Sequence, residues 1–234
     1  MNEEKISTVL KRRYLCDGAM NIIRKRIFSL EYGRGERLLV ETLAQQLEVS
    51  MTPVREGLKG LVAEGLVVYD RKSYSVFDPD VQEIADIFRI RRSLEVLSAS
   101  LAAENMKFSE IDALFDIFSE SSISRCVDDH TELTRVDKLF HKKILEGSNN
   151  KRLNSMLGTI EEQCWLIRAW GYSKSFPRWY IEKTAEEHLT VLEHIKNREP
   201  EKASSTMEAH LINGEKRTWE SLGDNPFSDE IVCL

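Results

Sequence analysis

No stretch of this chain approaches the roughly 18 consecutive apolar residues that a membrane-spanning helix requires. The four cysteines, Cys16, Cys126, Cys164 and Cys233, contain no CxxC pair. That excludes a zinc ribbon and a thioredoxin-like redox site, and leaves free thiols in a reducing compartment. The opening residues, MNEEKISTVLKRRYLCDG, have no apolar segment behind their charges and so do not read as a secretory signal. There is no internal repeat and no low-complexity segment. A large positive charge is lacking too. With 33 Lys+Arg against 39 Asp+Glu the net charge is -6, which argues against a purely electrostatic nucleic-acid binder. A cytoplasmic protein without a membrane partner is expected.

The 234 residues suffice for two domains, each with its own core. Charge is unevenly distributed between them. The first 79 residues hold 13 Lys+Arg against 11 Asp+Glu, and the rest hold 20 against 28. A slightly basic N-terminal part on an acidic body suits a small DNA-reading module attached to something else. Three helices are predicted there. In CDGAMNIIRKRIFSLEYG, Met20, Ile22, Ile23, Ile27 and Leu30 recur at helical spacing, and Gly33 and Gly35 stop the pattern. ERLLVETLAQQLEV places Leu43 and Leu47 on one face. A third helix starts at Ser50, an N-cap, with Pro53 in its first turn and Val54, Leu58, Leu61 and Val62 inward, and ends at Gly65. The stretch LVVYDRKSYSVF then alternates as a two-stranded hairpin broken at 70–73. Three helices and a hairpin describe a winged helix-turn-helix, followed by a linker at Asp78-Pro79-Asp80.

A helix-turn-helix lays its second helix in the major groove with the N-terminal residues toward the base edges. Ser50, Thr52 and Arg55 supply polar and cationic groups at that end, and Arg55 can reach guanine or a phosphate. The stretch GERLLVETLAQQLEVSMTPVREGLKGLVAEGLV resembles the winged helix-turn-helix of the GntR family of bacterial transcription regulators, most specifically in VSMTPVREGL and EGLV. The resemblance covers most of residues 15–77. It implies that Ser50, Met51, Thr52, Arg55 and Lys72 contact DNA. Met51 stands where that family usually has arginine, and Lys72-Ser73 where the wing usually has a glycine.

From Val81 to about Leu222 the pattern is helical, with no convincing strand, which predicts an all-α bundle of about six helices. Ser109 is a candidate cap of the second. The fold class expected is therefore mainly α: a winged helix-turn-helix at 1–78, a helical bundle at 79–222 and a loose tail at 223–234. Asp137 and His141, in RVDKLFHKKI, lie four residues apart on one helix face. Such a pair is either a solvated surface pair or half of a metal chelate. Two further helices carry EEHLTVLEHI and MEAHLI, and bundle cores can gather ligands from facing helices.

VDKLFHKKILEGSNNKRL and EEHLTVLEHIKNREPEKASSTMEAHL resemble the FCD subgroup of GntR regulators over 81–215. The resemblance implies that Asp137, His141, His188 and His210 bind one divalent metal per chain. Imidazoles with one carboxylate suit Zn, Ni or Mn. His130 and His194 match no ligand position. The resemblance further implies that the metal helps hold a small carboxylate effector, with Arg91, in FRIRRSLEVLSASLAAE, as its partner. The alternative for Arg91 is a surface salt bridge to Glu95. Arg168 is a second effector candidate, while Trp165 and Trp170 beside it read as core. The expected protein is a homodimeric regulator, most simply a repressor, of a palindromic operator. Two rivals remain: a metal-dependent hydrolase carrying a DNA module, although no base or nucleophile cluster accompanies the site, and a regulator with a metal-free acyl-coenzyme A pocket.

Overall fold

The computed structural model describes residues 3–118, 126, 130–171 and 178–222. The proposed tail, the loop at Phe176-Pro177, Cys233 and much of 119–129 lie outside them. The chain divides into two compact units, Met1–Ile84 with Gly158–Trp170, and Ala85–Leu157 with Gly171–Leu234.

In the first unit, α1 spans Glu3–Phe28. It begins well before the predicted helix does, because 3–15 contain no proline or glycine and several good helix formers. Ala19, Ile23 and Ile27 are buried, whereas Ile22 and Leu30, expected inward, are exposed. Leu30 takes a left-handed φ of 61°, and the Glu31 amide donates to the Arg26 carbonyl at 3.0 Å, which closes the helix before either glycine. A two-residue strand, β1 (Arg37–Leu38), occupies part of the segment predicted as the second helix. The helix itself is α2, Val40–Gln46. α3 spans Met51–Ala63 and buries Pro53, Val54, Leu58 and Leu61. Ser50 holds the N-cap position, yet its hydroxyl makes no capping hydrogen bond. α3 approaches α1 closely at Gly57, where a Cβ would lie 3.0 Å from the Met20 amide nitrogen.

β2 (Val67–Tyr69) and β3 (Tyr74–Val76) form the hairpin. The sheet order is β1-β3-β2, antiparallel throughout, with Leu38 opposite Tyr74 and Val68 opposite Ser75. The turn manages without glycine. The Asp70 carboxylate accepts the Lys72 and Ser73 amides at 2.9 and 2.7 Å, and Arg71 takes a φ of 74°. This unit also contains 158–170 of a later helix. There the Trp170 ring stacks on Phe77 and lies 4.7 Å from the Arg34 guanidinium.

The described part of the second unit is helical. α4 spans Val81–Asn105, and the Asp80 carboxylate caps it by accepting the Glu83 amide at 2.8 Å. α5 spans Phe108–Ile117. Its cap lies at Lys107 rather than Ser109, and the Glu110 carboxylate accepts the Lys107 amide at 3.1 Å. α6 is His130–Gly147, α7 Lys151–Gly171, α8 Arg178–Lys196 and α9 Pro200–Leu222. Ala99, Ala102 and Ala103 on α4 let neighbouring helices close in. Phe140, Ile144, Val191, Leu192, Ile195 and Met207 fill the shared core. Among the described residues no helix is long and apolar enough to cross a membrane, and Cys16, Cys126 and Cys164 form no disulfide with one another.

Candidate metal centre

Three bundle helices aim polar side chains at one point of an otherwise apolar interior. α6 contributes Asp137 and His141 one turn apart, α8 contributes His188, and α9 contributes His210. All four are buried, and their donor atoms lie within 4.8 Å of one another. His188 Nε2 is 3.2 Å from Asp137 Oδ1 and 3.1 Å from His210 Nε2, while His141 Nε2 lies 3.4 Å from His210 Nε2. Ligands sharing an ion at bond lengths of about 2.0–2.1 Å stand roughly 3 Å apart, so these spacings suit a single divalent cation.

The proton positions strengthen that fit. The Glu95 carboxylate, from α4, faces His141 Nδ1 at 2.5 Å, and the Glu187 carboxylate faces His210 Nδ1 at 2.9 Å. A carboxylate accepts, so each Nδ1 carries the hydrogen and each Nε2 presents a bare lone pair. Two lone pairs therefore face each other at the 3.4 Å contact, an arrangement that a cation between them relieves. Burial lowers the His188 pKa to about 4, with the His210 charge acting in the same direction. Burial also depresses His141 and His210, against the pull of Glu95 and Glu187 respectively. All three imidazoles are thus neutral near pH 7, the state that binds metal. Burial would raise Glu95, but Arg91 and His141 bring it down to about 2. Glu187 is likewise held at about 2 by His210 and Arg217 against its own burial.

The two predicted effector arginines are placed differently. Arg91 is not on the surface. It is buried and its Nε donates to Glu95 Oε1 at 2.5 Å, so Glu95 is its partner in an interior ion pair. Arg168, in the other unit, lies over the Trp165 ring at 4.7 Å. His194 pairs with Glu199 at 2.7 Å, away from the donor group. The side chain of His130 lies outside the described residues. A cavity of about 20 Å³ adjoins the centre, lined by Asp137 and His188 and by apolar groups including Phe118, Leu133, Val136 and Ile181. It holds about one water-sized group. Spacing alone does not mark Glu187 or Arg217, whose roles depend on which way two helices face.

At the other end of the chain, Ser50, Met51, Thr52 and Arg55 are all exposed at the head of α3, and Lys72 is exposed at the hairpin turn.

Comparison with known proteins follows the same division. The model of bacterial regulatory proteins of the gntR family matches residues 16–74, and the FCD domain model matches 86–213. The HTH-type transcriptional regulator YdhC of Bacillus subtilis is 27% identical over 194 residues, 82% of this chain and 85% of the relative. The HTH-type transcriptional repressor GlaR of Escherichia coli is 28% identical over 183 residues, 76% of this chain and 83% of the relative. Among solved structures, E. coli McbR/YncC aligns with a TM-score of 0.71 at 23% identity, covering 88% of this chain and 97% of that one, a likeness of fold.

Proposed function

Since the chain belongs to the GntR family of bacterial regulatory proteins, in the group that carries an FCD domain, we propose that it is a repressor whose hold on its operator is set by a small organic acid bound at a divalent metal. DNA-binding transcription regulation is the activity of the family, and the relatives are regulators rather than enzymes. The metal and effector parts rest on one observation: three buried imidazoles and one carboxylate meet within 4.8 Å in the bundle interior. Asp137, His141, His188 and His210 would hold the metal, whose chemistry there is that of a Lewis acid attracting a carboxylate oxygen.

The small cavity beside Asp137 and His188 marks the side from which an acid would approach. Its volume of about 20 Å³ means that neighbouring side chains must give way as the acid enters. An acid that prefers the widened state shifts the protein toward that state by its difference in affinity, and DNA affinity shifts with it.

We read the working form as a cytoplasmic homodimer. Ile90 and Leu97 are exposed on α4, with Leu94 and Leu101 on the same stripe, a heptad-like apolar seam suited to a second copy. Two reading heads then meet two half-sites. Ser50, Met51, Thr52 and Arg55 would face the major groove, and Lys72 the adjoining backbone.

Operator binding followed by fluorescence anisotropy, with zinc-loaded protein and a panel of organic acids, tests the reading. One acid class should weaken binding in the wild type and leave His188→Ala, which still binds DNA, unaffected. Release that is equal in both proteins, or absent with every acid, contradicts it.

A further inference from the structure

The four donors are not held alike. His141 and His210 each have a carboxylate behind the ring, and each carboxylate is itself gripped by an arginine. Behind His141, Glu95 accepts from His141 Nδ1 through one oxygen and from Arg91 Nε through the other, both at 2.5 Å. Behind His210, Glu187 accepts from His210 Nδ1 at 2.9 Å. It also accepts from Asn213 Nδ2 at 2.9 Å and from Arg217 Nη1 and Nη2 at 3.1 and 3.0 Å. His188 has no such support. Its Nδ1 is buried without a hydrogen-bond partner among the described residues, and its ring rests face-on against Phe140 at 4.0 Å.

We infer that Glu95 and Glu187 are positioning residues of the metal centre. Each fixes its histidine in the tautomer whose Nε2 lone pair points at the other donors, and Arg91 and Arg217 hold the carboxylates in place. The inference rests on the reading of this cluster as a metal site. It also assigns Arg91 a task in the centre besides any contact with an effector. An arginine with its Nε committed to a buried carboxylate sets a ligand's orientation through that carboxylate. His188, with no carboxylate behind its Nδ1, is held by its packing on Phe140 and by the contacts of its Nε2 with Asp137 and His210. Carboxylates in this position raise ligand basicity and hold ring orientation, and their loss costs about 10–100-fold in metal affinity.

The test uses the full-length protein with ¹⁵N-labelled histidine. Long-range ¹H–¹⁵N spectra of the metal-free form read the tautomer of each ring directly, and competition titration reads zinc affinity. His141 and His210 should carry the hydrogen on Nδ1. Glu187→Ala should shift His210 to a mixture of tautomers and lower zinc affinity about 10–100-fold, with the helical circular dichroism retained. The double variant Arg91→Met/Glu95→Met removes both buried charges together with the acceptor behind the ring and should do the same at His141. It gives an independent reading should Glu187→Ala fail to fold. Unchanged tautomers, or unchanged zinc affinity in either folded variant, overturns the inference. Because the tautomers are read without metal, they test the positioning of the rings separately from metal uptake, whereas a wild type that takes up no zinc overturns the metal reading on which the inference rests.

Discussion

Acidifying the metal-free protein should weaken it well above the pH at which carboxylates titrate. An unfolded-chain histidine has a pKa of about 6.5, and burial holds His188 at about 4 in the folded chain. Between those values the unfolded chain binds a proton that the folded chain refuses, so stability falls as pH drops below about 6.5 and the loss is complete near 4. The difference corresponds to roughly 3 kcal/mol for His188 alone. His141 and His210 are displaced in the same direction and add to it. Glu95 and Glu187, held at about 2, act in a lower window: their contribution is lost only as pH falls below the ordinary carboxylate range. For a chain of this length roughly 3 kcal/mol amounts to about 6–12 °C in Tm. Tm followed by circular dichroism in chelator, between pH 7.5 and 4.5, should therefore fall by that order in the wild type and distinctly less in His188→Gln, which cannot take the proton. Parallel pH profiles for the two proteins would refute the buried, neutral state of His188.

Three further outcomes follow from other parts of the molecule. Arg55→Ala, exposed at the head of α3, should weaken operator binding by about 1–3 kcal/mol in an anisotropy titration while leaving Tm unchanged. Gly57→Ala places a Cβ 3.0 Å from the α1 backbone and should lower stability by about 1–3 kcal/mol in thermal unfolding; an unchanged Tm would show that the two helices separate at no cost. Leu97→Asp, in the middle of the α4 seam, should turn a dimer into a monomer in sedimentation velocity without disturbing the helical signal.

The recognition helix, the hairpin and the Asp137/His141 pair were legible in the sequence because each rests on a short-range rule, whereas His188 and His210 joined that pair only through the resemblance to the FCD subgroup. Apolar residues three and four apart define an inner face, and Asp137 and His141 at i and i+4 must share a side of one helix. What escaped depends on long-range geometry. Arg37–Leu38 is too short to show a strand period, and only pairing with β3 makes it a strand. Arg91 was correctly placed at one turn from Glu95, but spacing could not say that the pair is buried, nor that Glu95 turns its other oxygen to His141, 46 residues away. Glu187 stands beside His188 in sequence yet serves His210 on the next helix, which only the packing of α8 against α9 decides. The start of α1 was missed although its first turns combine helix-forming residues with Ile6, Val9 and Leu10 at helical spacing.

The most direct test of the account is the metal content of the purified protein by elemental analysis after incubation with zinc, nickel or manganese, beside His188→Ala and His210→Ala. One equivalent per chain of one of these metals in the wild type, and a large loss in both variants, is the predicted result. A wild type that retains none of them, or variants that retain as much as the wild type, would contradict it.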